Sequence, residues 1–301
     1  MAIGLALFGV LSLTLLSIGG DPFYLLHAEP RRGADVGFYD NERLFKYWLS
    51  RRFVPEAYEA VILGPSYTAS LDPAGEPAAA GVYNLSFRGA NSVEMLTLGE
   101  GLLGPKSRIK VAYLCLDPYV VRSLNPRTQD MDPRTLRMAI LSWPILGHFF
   151  QRAFFPLNPQ AKYFTPQGAN NEYAYLEGKD SGPHIEEELR VLVERFRAPF
   201  RAKPGAVENL ARLIARLRER GIRVVGFLPP KPAAHRRLKA ADYEAYVREV
   251  IPQFGPMDQF LNFEKDAPLD DRYFVDAGGH LSSLGSAWLL RALLGRTTSP
   301  P

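Results

Sequence analysis

With a single cysteine, Cys115, the 301-residue chain has no internal disulfide framework. Cys115 lies inside the apolar run Val111–Leu116, where a thiol behaves as a small buried hydrophobe. Histidine is also scarce, with five in all, and no group of His, Cys and Asp has the spacing of a metal site. Neither a metal nor any other cofactor is expected. There is no basic arm: lysines and arginines are interspersed with acidic residues, and the net charge is only +4. That pattern argues against a nucleic-acid partner. Internal repeats and low-complexity tracts are absent as well. What remains is a chain of globular composition, rich in proline and glycine and hence in loops.

Charge is missing altogether from residues 1–20, MAIGLALFGVLSLTLLSIGG. Their length suits a membrane-spanning helix or the core of a signal peptide. The segment has no clear small-x-small cleavage site and no cysteine for lipid attachment, which favours a retained anchor. Arg31 and Arg32 follow it, and the positive-inside rule taken literally would keep the body cytoplasmic. The reading carried forward is export, with the missing basic flank assigned to a start upstream of Met1. On that reading the chain is a single-pass inner-membrane protein with its body on the periplasmic or extracytoplasmic side.

Residues 21–40, with Pro22, Pro30 and Gly33, read as an irregular linker, 41–295 as the folded body, and 296–301 as a disordered tail. Asn41–Phe53 has the pattern of an amphipathic helix. Ala60–Leu63 (AVIL) reads as a buried strand, Gly81–Phe87 as a second, Ile109–Asp117 as a third and Ile222–Pro230 as a fourth. A helix is expected over Ser92–Leu103. Another precedes the fourth strand, with Val207, Leu210, Ala211, Ile214 and Leu217 on one face and Gly221 as its stop. Strands alternating with amphipathic helices predict an α/β fold, a parallel sheet covered on both faces. Such sheets bind ligands at the carboxyl ends of their strands. An insertion at about 118–203 separates the third strand from the fourth. Its segment Met138–Phe150 is apolar but too short to span a bilayer. It reads either as a core or lid helix or as a surface that rests on a membrane or a membrane partner. Asn170–Tyr173 and Gly178–Gly182 read as solvent loops, and His184 as a helix-start residue.

Ser66 follows the AVIL strand at the break Gly64-Pro65, while Asp276 and His280 lie in Phe274-Val-Asp-Ala-Gly-Gly-His-Leu281 near the end of the chain. A serine hydroxyl needs a base to accept its proton, an imidazole suits that task, and a carboxylate fixes the imidazole tautomer. Ser66, His280 and Asp276 are therefore candidate nucleophile, base and orienting acid. Taken singly, each has a plainer role: a helix-start serine, a core or capping histidine, and a turn aspartate before Gly278-Gly279. The Ser66 amide, the backbone of Gly89 and the side-chain amide of Asn91 are candidate oxyanion donors; Gly89 also reads as a turn glycine and Asn91 as a helix N-cap. Lys231 and His235, past the fourth strand, are candidate substrate contacts or surface and helix-start residues.

Gly64-Pro-Ser66 after one strand, Asn84-Leu-Ser-Phe-Arg-Gly89-Ala-Asn91 after the next, and Asp276…His280-Leu281 near the end resemble the SGNH (GDSL-like) hydrolase superfamily. The likeness is greatest to its membrane-anchored bacterial branch of alginate-acetylation proteins and the D-alanyl transfer protein of teichoic acid synthesis, and it covers roughly 55–130 and 205–295. The resemblance implies a flavodoxin-like three-layer α/β/α sandwich, with Ser66, His280 and Asp276 as a triad and Gly89 as an oxyanion donor. It further implies O-acyl transfer or ester hydrolysis on an exported polysaccharide, beside a membrane-bound O-acyltransferase as partner.

The chain departs from that pattern in three places. Asp276-Ala-Gly-Gly-His280 is one residue longer than the usual Asp-x-x-His, which leaves Asp270, Asp271 or a Ser–His dyad as alternatives. Pro65 stands where an acid or serine is usual. Asp117 occupies the place of the superfamily's third-block Asn, and an ionised carboxylate donates no hydrogen bond to an oxyanion. Two classes of function follow: a serine esterase or O-acyltransferase (a lipase or thioesterase at the membrane surface differing only in substrate), and a catalytically degenerate subunit that binds polysaccharide or scaffolds an envelope assembly complex.

Overall fold

The AVIL, VAYLC and RVVGFL runs form the centre of a parallel sheet. The computed structural model describes residues 42–124, 163–170, 199–266 and 270–298, together with Ala34–Asp35 and a few positions between 4 and 15. Its main sheet contains β1 (Ala60–Leu63), β2 (Val82–Asn84), β3 (Val111–Cys115), β4 (Arg223–Leu228) and β5 (Gln259–Asn262). All neighbours are parallel and the order is β2-β1-β3-β4-β5, one of the two common doubly wound arrangements. β5 was not foreseen, because Gln-Phe-Leu-Asn carries no apolar run.

Among the described helices are α1 (Glu42–Arg52), the single turn α2 (Ser66–Ala69), α3 (Ser92–Gly101), α4 (Pro204–Glu219), α5 (Ala233–Glu249) and α6 (Ser283–Thr298). Alternation along the strands divides their side chains between two cores. Val61, Leu63, Ala112, Leu114, Val224 and Leu228 pack with α1, α3, α4 and two tyrosines of α5. Ala60, Ile62, Tyr113, Cys115, Val225 and Phe227 pack with Leu289, Leu290 and Leu293 of α6. Each fully buried side chain of this size contributes about 1.5–3 kcal/mol, so the central strands are held from both faces. Cys115 is fully buried, as its run implied, and burial pushes its thiol well above the ordinary range.

α6 continues to Thr298, into the stretch read as a tail. Ala34–Asp35, in the stretch read as a linker, pairs antiparallel with Tyr163–Phe164. Most of the insertion, with Met138–Phe150, Gly178–Gly182 and His184, lies outside the described residues, as do most of residues 1–20. Phe8, Leu11 and Leu15, three helical positions described there, are exposed. Among the described residues no helix is long and apolar enough to cross a membrane.

α1 differs most from its simple amphipathic reading. Glu42 and Lys46 are buried in it. The Lys46 ammonium donates to the carbonyls of Asn84 and Gly168, and it lies 4.9 Å from the centre of the Phe164 ring. Burial lowers the Lys46 pKa to about 7, against the opposing pull of Glu42. A folded-state pKa below the unfolded one means that the unfolded chain binds the extra proton. The stability contributed by neutral Lys46 is therefore present above the unfolded pKa of 10.5 and is lost as pH falls through about 7. The melting-temperature difference, wild type minus Lys46→Met, should rise between pH 7 and pH 9; a pH-independent difference would refute the assignment.

Candidate active site

Ser66 opens α2 directly past the end of β1. Gly64 permits the tight exit from the strand: a Cβ there would lie 2.5 Å from Thr68 Oγ1 and 2.6 Å from Cys115 Cβ. Pro65 holds extended backbone as the cap residue. Polar bonds then tie α2 to the neighbouring strand. Thr68 Oγ1 lies 2.9 Å from Ser86 Oγ. The buried Asn84 amide donates to the carbonyls of Thr68, Ala69 and Leu71 at 2.7, 3.3 and 2.8 Å.

Asp276 organises the partner loop. Its Oδ1 accepts the backbone N–H of Gly279 at 2.9 Å and of His280 at 3.0 Å. Its Oδ2 lies 2.5 Å from His280 Nδ1, and His280 Nε2 lies 2.8 Å from Ser66 Oγ. The extra residue between acid and base is absorbed at Gly279, whose φ of 95° is strained for a side-chain-bearing residue. The alternative acids do not take this place. Asp270 turns both oxygens to Arg272 at the surface, and Asp271 is exposed. Burial opposes the Asp276 charge, but the His280 hydrogen bond and charge, helped by Lys231, hold its pKa below the ordinary carboxylate value. An ionised Asp276 requires the proton on His280 Nδ1, which leaves Nε2 as acceptor for the Ser66 hydroxyl.

The oxyanion candidates separate. Ser66 is the first residue of α2, so its N–H has no intrahelical acceptor. Gly89 has φ 69°, and its open face looks toward Arg43 Nη2 and the Tyr119 hydroxyl. The Phe87 N–H bonds Gly64 O at 3.2 Å and so lays the chain before Gly89 alongside the Ser66 turn. Asn91, by contrast, is the N-cap of α3, its side-chain oxygen accepting from Val93 and Glu94 in a capping box.

α1 pins the Gly89 loop, a role its pattern did not reveal. Glu42 Oε1 accepts the Arg88 N–H at 3.0 Å, and Arg43 Nη2 donates to the Arg88 carbonyl at 2.8 Å. Arg43 Nε also pairs with the buried Glu94 at 2.7 Å.

Asp117 and Lys231, past the ends of β3 and β4, meet in the interior. Lys231 Nζ lies 3.0 Å from Asp117 Oδ2, with 1% and 4% of the two side chains exposed. Lys231 is thus enclosed rather than open to a substrate. His235 Nδ1 lies 3.1 Å from the Ala277 carbonyl, and burial, then the Lys231 charge, lowers its pKa to about 4. It is neutral at physiological pH and braces the Asp276–His280 loop. Tyr67, which no local sequence pattern marks, sets its ring 5.0 Å from that of His280. Among the described residues no cluster could hold a metal ion. A cavity of about 500 Å³ lies along α5, lined by Arg236, Glu244 and Lys265 among others, and includes none of the Ser66–His280–Asp276 line.

No protein-family model matches the chain, and no curated protein matches it.

Removing Arg43 would leave Glu94 buried without its cation. Breaking such a pair is strongly destabilising, by about 3 kcal/mol or more. Arg43→Ala should lower the denaturant midpoint accordingly at unchanged m-value, and a midpoint within error of wild type would show that the bracket carries no energy.

Proposed function

We propose that this chain is a serine acyl-transfer enzyme of the SGNH type, an O-acyltransferase or esterase acting on a cell-envelope or secreted polysaccharide. The observation that carries the proposal is the unbroken line from Ser66 Oγ through His280 to Asp276, at 2.8 and 2.5 Å. The strand order and the position of these residues at carboxyl strand ends agree with the flavodoxin-like sandwich of that superfamily.

In the proposed reaction Ser66 Oγ attacks the acyl carbonyl while its proton passes to His280 Nε2. The Ser66 and Gly89 amides are the proposed donors for the oxyanion. As the tetrahedral adduct collapses, the imidazolium returns the proton to the leaving oxygen and the acyl group remains as an ester on Ser66. A sugar hydroxyl or water then gives its proton to His280 and attacks the ester carbonyl; as the Ser66 Oγ–acyl bond breaks, His280 returns the proton to Oγ and free Ser66 is restored. Asp276 stays ionised throughout and stabilises the imidazolium.

On this reading residues 1–20 anchor the protein in the inner membrane, with the body outside the cytoplasm and a membrane-bound O-acyltransferase as donor partner. The exposed apolar residues Phe8, Leu11 and Leu15 are compatible with that anchor. One observation favours the second reading, a non-catalytic polysaccharide-binding or scaffold subunit: Asn91 and Asp117, at two expected donor positions, serve a helix cap and an ion pair.

The full-length protein should hydrolyse an aryl acetate and be labelled at Ser66 by a fluorophosphonate. Ser66→Ala should abolish labelling, and His280→Ala should lower turnover by several orders of magnitude. Labelling that survives Ser66→Ala would overturn the proposal; sugar binding without turnover, unchanged in that variant, would establish the scaffold reading.

A further inference from the structure

Lys231 is the meeting point of loops from four strand ends. Its ammonium lies 3.3 Å from the centre of the Tyr67 ring, past β1. It lies 3.0 Å from Asp117 Oδ2, past β3, in a charge contact outside hydrogen-bond alignment. It donates to the Gly278 carbonyl at 3.3 Å, in the loop past β5, while its own backbone follows β4. The stem is equally confined, since a Cβ on Gly279 would lie 2.7 Å from Lys231 Cδ. Tyr67 is the residue after the nucleophile and flanks the His280 ring, and Gly278 lies between the acid and the base.

We propose that Lys231 is a positioning residue for the catalytic line, clamping the lengthened Asp276–His280 loop to Tyr67 through one buried cation whose counter-ion is Asp117. A loop with two glycines between acid and base has many conformations in the free chain, and fixing it requires contacts beyond the Asp276 bonds. The Lys231 bond to Gly278 and the cation–π contact to Tyr67 supply two such contacts. Asp117 then has a definite purpose: it is a carboxylate because a buried ammonium needs an opposite charge, not because an oxyanion needs a donor.

The kinetic arm of the test rests on the acyl-transfer reading, and a spectroscopic arm does not. A buried ion pair replaced by apolar or neutral groups of similar size usually leaves stability nearly unchanged. The full-length double variant Lys231→Met/Asp117→Asn should therefore melt cooperatively near the wild-type temperature. Its kcat on an aryl acetate should fall on the order of 10²-fold at unchanged KM, the cost of a misplaced catalytic group. Lys231→Arg, which keeps the charge, should lie between the two. In parallel, the downfield proton of the His280–Asp276 hydrogen bond, observed by NMR on histidine-labelled protein, should be present in wild type and lost in the double variant. Wild-type kcat and an intact downfield proton in the folded double variant would overturn the proposal, as would a raised KM at constant kcat, which marks direct substrate contact. If wild type itself shows no turnover, the acyl-transfer reading falls while the proton resonance still decides the role of Lys231.

Discussion

The Asp276 carboxylate is the interaction on which the site depends. With one oxygen it gathers two consecutive backbone N–H groups, and with the other it fixes the imidazole tautomer. The first set of bonds closes the loop and the second gives the histidine its direction, so loop closure and imidazole orientation use the same charge. Charge-assisted bonds of this kind are roughly twice as strong as neutral ones, which lets a short loop hold its shape at a partly open surface. A carboxylate with three donors stays ionised despite partial burial, and that ionisation makes His280 Nε2 a lone-pair acceptor.

The strands were legible where side chains are buried on both faces, because continuous apolar runs are what a central parallel strand requires. The edge strand β5 escaped notice: half-exposed Gln259 and Asn262 leave it only two apolar residues. Ser66, His280 and Asp276 were readable from order and position alone. Their supports were not. Glu42, Arg43 and Lys46 look like the solvent face of an amphipathic helix, and only the tertiary position of the Gly89 loop and of Asn84 turns them inward. The excess residue between Asp276 and His280 was legible as a difficulty, and its solution, a left-handed Gly279, lay in the same five letters.

Buried charge is concentrated on two brackets. On one side of the sheet edge, α1 presents Glu42 and Arg43 to the loop that follows β2. On the other, Asp117 and Lys231 join the loops that follow β3, β4 and β5. Such pairs add little net stability compared with apolar packing, but a misplaced partner is costly, so they restrict the chain to one arrangement. The apolar cores fix where the strands lie, and the ionic brackets fix how their ends are directed.

The hydroxyl of Ser66 and the His280 nitrogen that meets it are 214 residues apart along the chain. Contacts of such long sequence separation close late, after the loops between them have lost their freedom. During synthesis, the amino-terminal half therefore emerges with an ordinary, unreactive alcohol. The hydrogen bond to His280 forms only when the carboxyl-terminal segment docks, so a prematurely terminated polypeptide holds Ser66 without its imidazole partner.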